Sequence, residues 1–280
     1  MSDPEAYRIE SRRGWGSVAA AWGRHAEWLR TAMDVSTRMI DAAHLQPGSA
    51  VLELAAGTGE VGFLAYELVQ PGGSLITSDF APEMLTEAQR RAEELGLRGV
   101  RFKQIDAESI DVGTASLDAV LCRWGFMLMA DPGAALRECR RVLRPGGRLA
   151  LAAWASAEEN PWSSVVGQVL RPRGLMEEVP EGAPHQFAWA RPGLIEEQLE
   201  GAGFADDIEV EAVSFDYRET FDAWWDRTLD MSQTGKVIAG LPPDERAAVR
   251  AELQERLSRY AGDDGALVLP AKSWVAAASA

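Results

Sequence analysis

The sequence predicts an α/β protein built on a doubly wound, largely parallel sheet, and three observations predict it. From residue 50 onward, short apolar runs alternate with helical stretches of roughly 10 to 15 residues, the pattern of βαβ units closed by right-handed crossovers. A glycine-rich run, Glu53 to Gly62 (ELAAGTGEVG), falls where the first such strand turns into the first such helix. Pro and Gly punctuate the remaining joints, as in Pro71-Gly72-Gly73 and Pro145-Gly146-Gly147.

In order along the chain, residues 15 to 43 are rich in Ala, Trp, Leu and Met and read as one or two amphipathic helices, ended by Gln46-Pro47-Gly48. Ala50 to Leu54 reads as a strand and Gly59 to Val69 as a helix. Ser74 to Ser78 is the next strand, and Ala81 to Leu95 is a helix stopped by Gly96. Val100 to Ile105 and Leu117 to Cys122 are strands, Pro132 to Leu143 is a helix, and Arg148 to Trp154 is a fifth strand. Arg144-Pro145-Gly146-Gly147 is read as helix termination, an arginine in the last turn followed by residues that cannot continue it. Beyond it, Asn160 to Leu170 and Pro192 to Glu200 are helices separated by a loop over 171 to 190. Asp207 to Phe215 alternates as a strand, Phe221 to Met231 and Pro243 to Tyr260 are helices, and Ala266 to Ala277 is a last strand. This is one domain, 1–280, divided into an N-terminal helical cap (1–46), a binding core (47–155), and lid helices with C-terminal strands (156–280).

Charge and composition exclude several classes. The 280 residues carry 43 acids against 28 bases, a net charge of −15, so no general positive field exists to draw in nucleic acid or an anionic membrane. The imbalance is uneven: residues 1 to 154 hold 20 acids and 17 bases, and 155 to 280 hold 23 and 11, which sets a nearly neutral half against an acidic one. Cys122 and Cys139 are too few for a disulfide framework and read as core residues. No run of about 18 apolar residues is present, and the N-terminus lacks the basic-then-apolar order of a signal peptide, so a soluble, cytoplasmic protein is expected. Ten tryptophans are more than a core of this size needs, which points to a lined pocket.

The chemistry concentrates at the predicted strand ends. Gly57 and Gly59 permit a tight turn, let a ligand approach the backbone, and precede a helix with free N–H groups. With Gly62 they also satisfy the G-x-G-x-x-G spacing of dinucleotide enzymes, so the run alone leaves the ligand open. Asp79 ends the second strand 22 residues after Gly57, where a carboxylate can accept bonds from two ribose hydroxyls or cap the helix that Pro82 opens. Asp106-Ala107-Glu108 brings further acids to the same edge, suited to the exocyclic amine of an adenine.

With VLELAAGTGE, SDFAPEML, QIDAESI, SLDAVLCRWGFM and RVLRPGG in order and at family spacing, residues 49 to 154 resemble the class I S-adenosylmethionine-dependent methyltransferases, in particular the branch of quinone and sterol methyltransferases. The resemblance implies a Rossmann-like seven-stranded sheet of order 3-2-1-4-5-7-6 with strand 7 antiparallel, S-adenosyl-L-methionine as cofactor and S-adenosyl-L-homocysteine as product. Carried over residue by residue, Glu53 matches the acid that orders the glycine loop or the methionine amine. Ala55, Ala56, Gly57 and Gly59 line the methionyl and ribose part, and Asp79 matches the ribose-binding acid. Phe80 and Met84 pack on the adenine, Asp106, Ala107 and Glu108 lie at its amine edge, and Arg123 and Trp124 stand where cofactor and substrate meet. Many members have glycine where this chain has Ala55, and a slight shift of the loop is expected there.

Methyl transfer needs two reactants held close and aligned, and a dedicated base is optional. No catalytic residue is assigned. The weak candidates for a base are His185, in the loop PHQFAW, and His25, on the tryptophan-rich N-terminal helix; His44 is the third histidine. Trp15, Trp22 and Trp28 are spaced roughly two turns apart and are expected on one helical face. Trp22, Trp124 and Trp189 are expected to wall an apolar acceptor pocket beside the sulfonium, extended by Phe126, Met127 and Met129. No metal is expected. The partner is a small, aromatic or apolar organic acceptor, with no nucleic acid, no membrane span, and room for a homodimer. The competing readings are an NAD(P)-dependent oxidoreductase, from the glycine spacing, and a protein that binds S-adenosylmethionine without transferring its methyl.

Overall fold

In the computed structural model, which describes residues 3–180 and 182–280, one seven-stranded sheet runs in the order β3-β2-β1-β4-β5-β7-β6. The first five strands are Ala50–Glu53 (β1), Ser74–Asp79 (β2), Arg101–Gln104 (β3), Leu117–Arg123 (β4) and Leu143–Trp154 (β5), and they pair in parallel. Asp206–Glu219 (β6) and Leu267–Ser279 (β7) complete the edge: β7 runs antiparallel between β5 and β6, with Leu151 opposite Ala276 and Val213 opposite Ser273. The sheet order and the orientation of its last strand are those the resemblance implies.

Helices cover both faces, so the central strands are apolar on both sides. Alternate residues sort into two cores. Leu52, Val120, Cys122, Leu149 and Leu151 face the helices Pro132–Val142 (α7), Pro161–Leu170 (α8), Leu194–Gly201 (α9) and Pro243–Leu257 (α12). Val51, Leu75, Ala119, Leu121 and Ala150 face Met33–Ala42 (α4), Glu60–Leu68 (α5) and Pro82–Glu94 (α6). Both cysteines are free and buried, and burial pushes the Cys122 thiol up to about 12, so it is a core residue.

Local chemistry sets the helix ends. Asp131 accepts from Ala134 N at 2.8 Å ahead of Pro132, which starts α7 with its buried face at Ala135, Leu136, Cys139 and Val142. Thr220 caps Phe221–Met231 (α10) through Ala223 N at 3.2 Å.

The structure differs from the sequence reading at several joints. Helix begins at Pro4, capped by Asp3, and the N-terminal segment divides into Pro4–Gly16 (α1), Ala19–Arg24 (α2), Ala26–Leu29 (α3) and α4. Trp15, Trp22 and Trp28 therefore lie on three helices, not on one face. Strand β5 starts at Leu143, directly after α7, so Arg144 to Gly147 belong to the strand. Gly146, at φ +77°, lies within it, and the β4–β5 register shifts between Leu117 and Ala119. The helical insertion between β6 and β7 includes an additional helix, Gln233–Ala239 (α11), capped by Ser232. No helix among the described residues is long and apolar enough to cross a membrane.

Candidate active site

The carboxyl ends of β1 to β4 open into a cavity of about 470 Å³, roofed by α1 to α3 and by the α10–α11 joint. In an open α/β sheet this is where ligands bind. Its floor is the glycine loop. Leu54 N donates to Leu121 O at 2.8 Å and Ala56 N to Ser78 O at 2.9 Å, which fastens the loop to the strands on either side. Gly57 turns at φ +55°, and its backbone face is open: a side chain there would meet nothing nearer than the Trp22 ring at 4.0 Å. The other two glycines of the triplet answer to packing. A side chain at Gly59 would strike the Phe63 ring at 2.5 Å, and one at Gly62 would overlap the Glu53 carboxylate, whose Cδ would lie 2.7 Å away. The dinucleotide-like spacing therefore has a steric cause inside the fold.

Two acids anchor this floor. Glu53, 3% exposed, accepts from Gly62 N at 2.8 Å through Oε1, while Oε2 has no partner among the described residues. Asp79, 6% exposed, accepts from Gly57 N at 3.0 Å and, through its other oxygen, from Ala81 N at 2.9 Å. It therefore ties the glycine loop to β2 and holds the turn that leads into α6. Burial raises Glu53 to about 7, against the pull of the Gly62 bond, and raises Asp79 to about 6, against its backbone donors. Such carboxylates gain from a neighbouring cation.

Ala55 holds φ +48° and Trp124 φ +60°, and both line the cavity. Left-handed backbone costs an L-residue about 1 to 2 kcal/mol, so Ala55 carries strain that a glycine would not. Trp124 is held there by Nε1 donating to Ser273 Oγ at 3.0 Å and by a 4.1 Å stack on Trp154. Arg123 lies over the Trp124 ring at 4.6 Å, donates to Ser36 Oγ at 2.8 Å, and sits 3.6 Å from Glu60, which also pairs with Arg91. Burial lowers the Arg123 guanidinium to about 10.

Of the residues expected from sequence at the cofactor, Glu53, Ala55, Ala56, Gly57, Asp79, Phe80, Met84, Asp106, Ala107, Glu108, Arg123 and Trp124 line this one cavity, and Gly59 does not. Glu108 is engaged elsewhere: it accepts from Arg8 Nε at 2.9 Å and from Asp131 N at 3.0 Å, so it fastens α1 over the site. The acceptor-side expectations need correction. Met127 and Met129 line the cavity, but Phe126 (1% exposed) and Trp189 (3%) are core residues stacked on each other at 5.7 Å. Trp22 roofs the glycine loop with Trp15, its Nε1 donating to Met231 O at 3.2 Å. Neither base candidate reaches the cavity lining. His25 Nε2 lies 3.1 Å from Asp230, and His185 accepts from Phe187 N at 3.1 Å through Nδ1.

The walls of the far end are residues the sequence reading did not assemble. Trp154 and Trp162 pack at 5.0 Å, Trp162 and Trp28 at 5.7 Å, and Arg227 lies 3.9 Å over the Trp28 ring. Ser163, whose Oγ donates to Gln186 Oε1 at 2.6 Å, Gln186 and Thr228 supply polar points there.

A sheet of this order, with a glycine loop and buried acids at its first two strand ends, defines a Rossmann-like α/β protein with a ligand cavity at its strand carboxyl ends. Residues 45–189 match the family model described as a methyltransferase domain, and the chain belongs to that family. Among similar proteins, a demethylmenaquinone methyltransferase of Thermus thermophilus is 38% identical over 129 residues, 46% of this chain and 54% of that protein. A ubiquinone/menaquinone biosynthesis C-methyltransferase of Pasteurella multocida is 32% identical over 52% of each. The chain thus spans about half the length of these curated relatives. Nocamycin O-methyltransferase of Saccharothrix syringae is 29% identical over 81% of this chain and 84% of its own. The YcgJ protein of Bacillus subtilis shares the fold at TM-score 0.58 and 20% identity, covering 88% of this chain and 98% of that one. The cofactor is S-adenosyl-L-methionine, and the residues present fit it: an open backbone face at Gly57, a buried glutamate with an unpaired oxygen, and a second buried acid at the next strand end.

Proposed function

We propose that this protein moves the methyl group of S-adenosylmethionine to an oxygen of a small, flat, largely apolar acceptor. The observation that carries the reading is the continuity of a single cavity, from the buried acids at the ends of β1 and β2 to a tryptophan-walled chamber beyond β4. Oxygen is favoured over carbon by coverage: the relative named for C-methylation aligns over about half of its length, whereas the relative named for O-methylation aligns over 81% of this chain and 84% of its own.

When bound, the cofactor supplies an electrophilic methyl on a sulfonium. Glu53 would hold the methionyl ammonium, Asp79 the ribose hydroxyls, Phe80 and Met84 the adenine faces, and Asp106 with Ala107 its amine edge. Glu108 keeps α1 closed over them through Arg8. Trp124 and Trp154, stacked at 4.1 Å, present a rigid face to the acceptor. Alignment of this kind contributes about 7 to 11 kcal/mol in favourable cases. Residues 1–46 act as the cap, 47–155 as the cofactor core, and 156–280 as the acceptor wall.

Incubating the protein with methyl-labelled S-adenosylmethionine and a metabolite extract tests this reading. Label should pass to an extractable small molecule and be released from it by ether or ester cleavage. Tight S-adenosylhomocysteine binding with no labelled product would instead support a protein that binds the cofactor without transferring its methyl.

A further inference from the structure

Resting on that reading, the chamber's own chemistry specifies the acceptor further. The elements that wall it, β5, α8 and α10, contribute no carboxylate and no imidazole to the described lining. The carboxylates that do line the cavity come from the cofactor side, and Glu60 and Glu108 among them are already paired with arginines. What this end does contain is a buried guanidinium. Arg227, 5% exposed, donates to Glu219 through Nε at 3.2 Å and Nη2 at 2.5 Å and lies over the Trp28 ring. Its Nη1 has no hydrogen-bond partner among the described residues, and the residue lines the cavity. Glu219 offsets the guanidinium charge from one side, and the unused Nη1 donor inside an aromatic chamber remains a charge-assisted donor for an incoming anion.

We propose that the acceptor is taken up as an anion, a planar molecule bearing an ionised oxygen acid of the phenol, enol or carboxylic type, and that Arg227 is the residue that selects it. The chemistry then closes without a base. A lone pair on the ionised oxygen forms the new O–CH3 bond while the C–S bond breaks toward sulfur. The negative oxygen and the positive sulfonium become a neutral ether or ester and a neutral thioether, and no proton remains to be removed. Arg227 is a positioning and selecting residue: it fixes which oxygen stands at the methyl and which protonation state enters.

The test compares two flat probes of equal shape, 2-naphthoate and 2-naphthamide, titrated into the full-length protein saturated with S-adenosylhomocysteine and followed by tryptophan fluorescence. The naphthoate should bind about tenfold more tightly than the amide. In Arg227→Gln combined with Glu219→Gln, which leaves no buried charge unpaired, the two should bind alike, to within about twofold, with S-adenosylhomocysteine affinity unchanged. Equal binding of the two probes to the wild-type protein overturns the proposal without need of the variant. So does an anion preference that persists in the variant, which would assign it to Arg123 or Arg8. Failure of the homocysteine nucleoside to bind at all would instead overturn the methyl-transfer reading beneath it.

Discussion

Asp79→Asn separates holding the loop from holding the cofactor. The carboxylate accepts one backbone N–H on each oxygen, from Gly57 at 3.0 Å and from Ala81 at 2.9 Å. An amide can serve only one of them and turns a donor toward the other, a loss of about 1 to 3 kcal/mol for a buried group. Against this, burial raises Asp79 to about 6 from an ordinary 3.8, so near pH 8 the ionised group costs on the order of 3 kcal/mol at about 1.4 kcal/mol per pK unit, and the amide escapes that cost. The two contributions nearly cancel, and ligand-free stability at pH 8 should change by no more than about 1 to 2 kcal/mol in urea melts. Cofactor binding has no such offset. Loss of hydrogen bonds from ribose hydroxyls to a charged acceptor, about 1.5 to 3 kcal/mol, should weaken S-adenosylhomocysteine by about 10- to 100-fold in calorimetric titration. An affinity within about twofold of the wild type would refute the assignment and leave Asp79 as a backbone tie between the glycine loop and the turn into α6.

The remaining predictions follow the same geometry. Gly62→Ala drives a methyl into the Glu53 carboxylate, so thermal melts should show a loss of about 1 to 3 kcal/mol together with weaker S-adenosylhomocysteine binding; an unchanged melt would mean that Glu53 is not held as described. Trp22→Ala should weaken S-adenosylhomocysteine about tenfold, because the ring roofs the glycine loop, whereas Trp162→Ala should leave that affinity unchanged and reduce methyl transfer; the reverse pattern would contradict the division of the cavity. Glu53 and Asp79 are raised to about 7 and about 6, so the native protein binds more protons than the unfolded chain between about pH 4 and pH 7. Their contribution to stability is therefore complete below the unfolded values and lost as pH rises through the native ones. His185, lowered by burial, works in the opposite sense. Urea melts of the ligand-free protein should show it less stable at pH 8 than at pH 5, by on the order of 3 kcal/mol from Glu53 alone, and a flat profile would argue against the buried acids.

The cofactor half was legible because its signals are local. Residues 53 to 62 state a strand end, a left-handed turn and a helix start in ten consecutive positions, and Asp79 and Asp106 stand at the next two strand ends. Sequence could not show why Gly62 is glycine, since the reason is the Glu53 carboxylate nine residues earlier in the chain. The acceptor half was less legible because its wall is made by packing across distance. Trp28, Trp154, Trp162 and Arg227 come from four separated segments, and Phe126 and Trp189 have the same apolar character as lining residues yet stack in the core. A helical period placed Trp15, Trp22 and Trp28 on one face, but the chain turns between α1, α2 and α3, and periodicity carries no information across a turn. One signal was available for Arg227: in FDAWWDRTLDM it falls three residues after Trp224 and four before Met231, on the buried face of an amphipathic helix where a cation needs a reason.

The central claim, that the cavity at the ends of β1 to β4 receives S-adenosylmethionine, is tested most directly by melting the protein with S-adenosylhomocysteine and, separately, with NADH. At 100 times its dissociation constant a ligand stabilises by about 2.7 kcal/mol, which raises the midpoint by about 5 °C or more. A rise with S-adenosylhomocysteine and none with NADH is the predicted result. A rise with NADH and none with S-adenosylhomocysteine would contradict it.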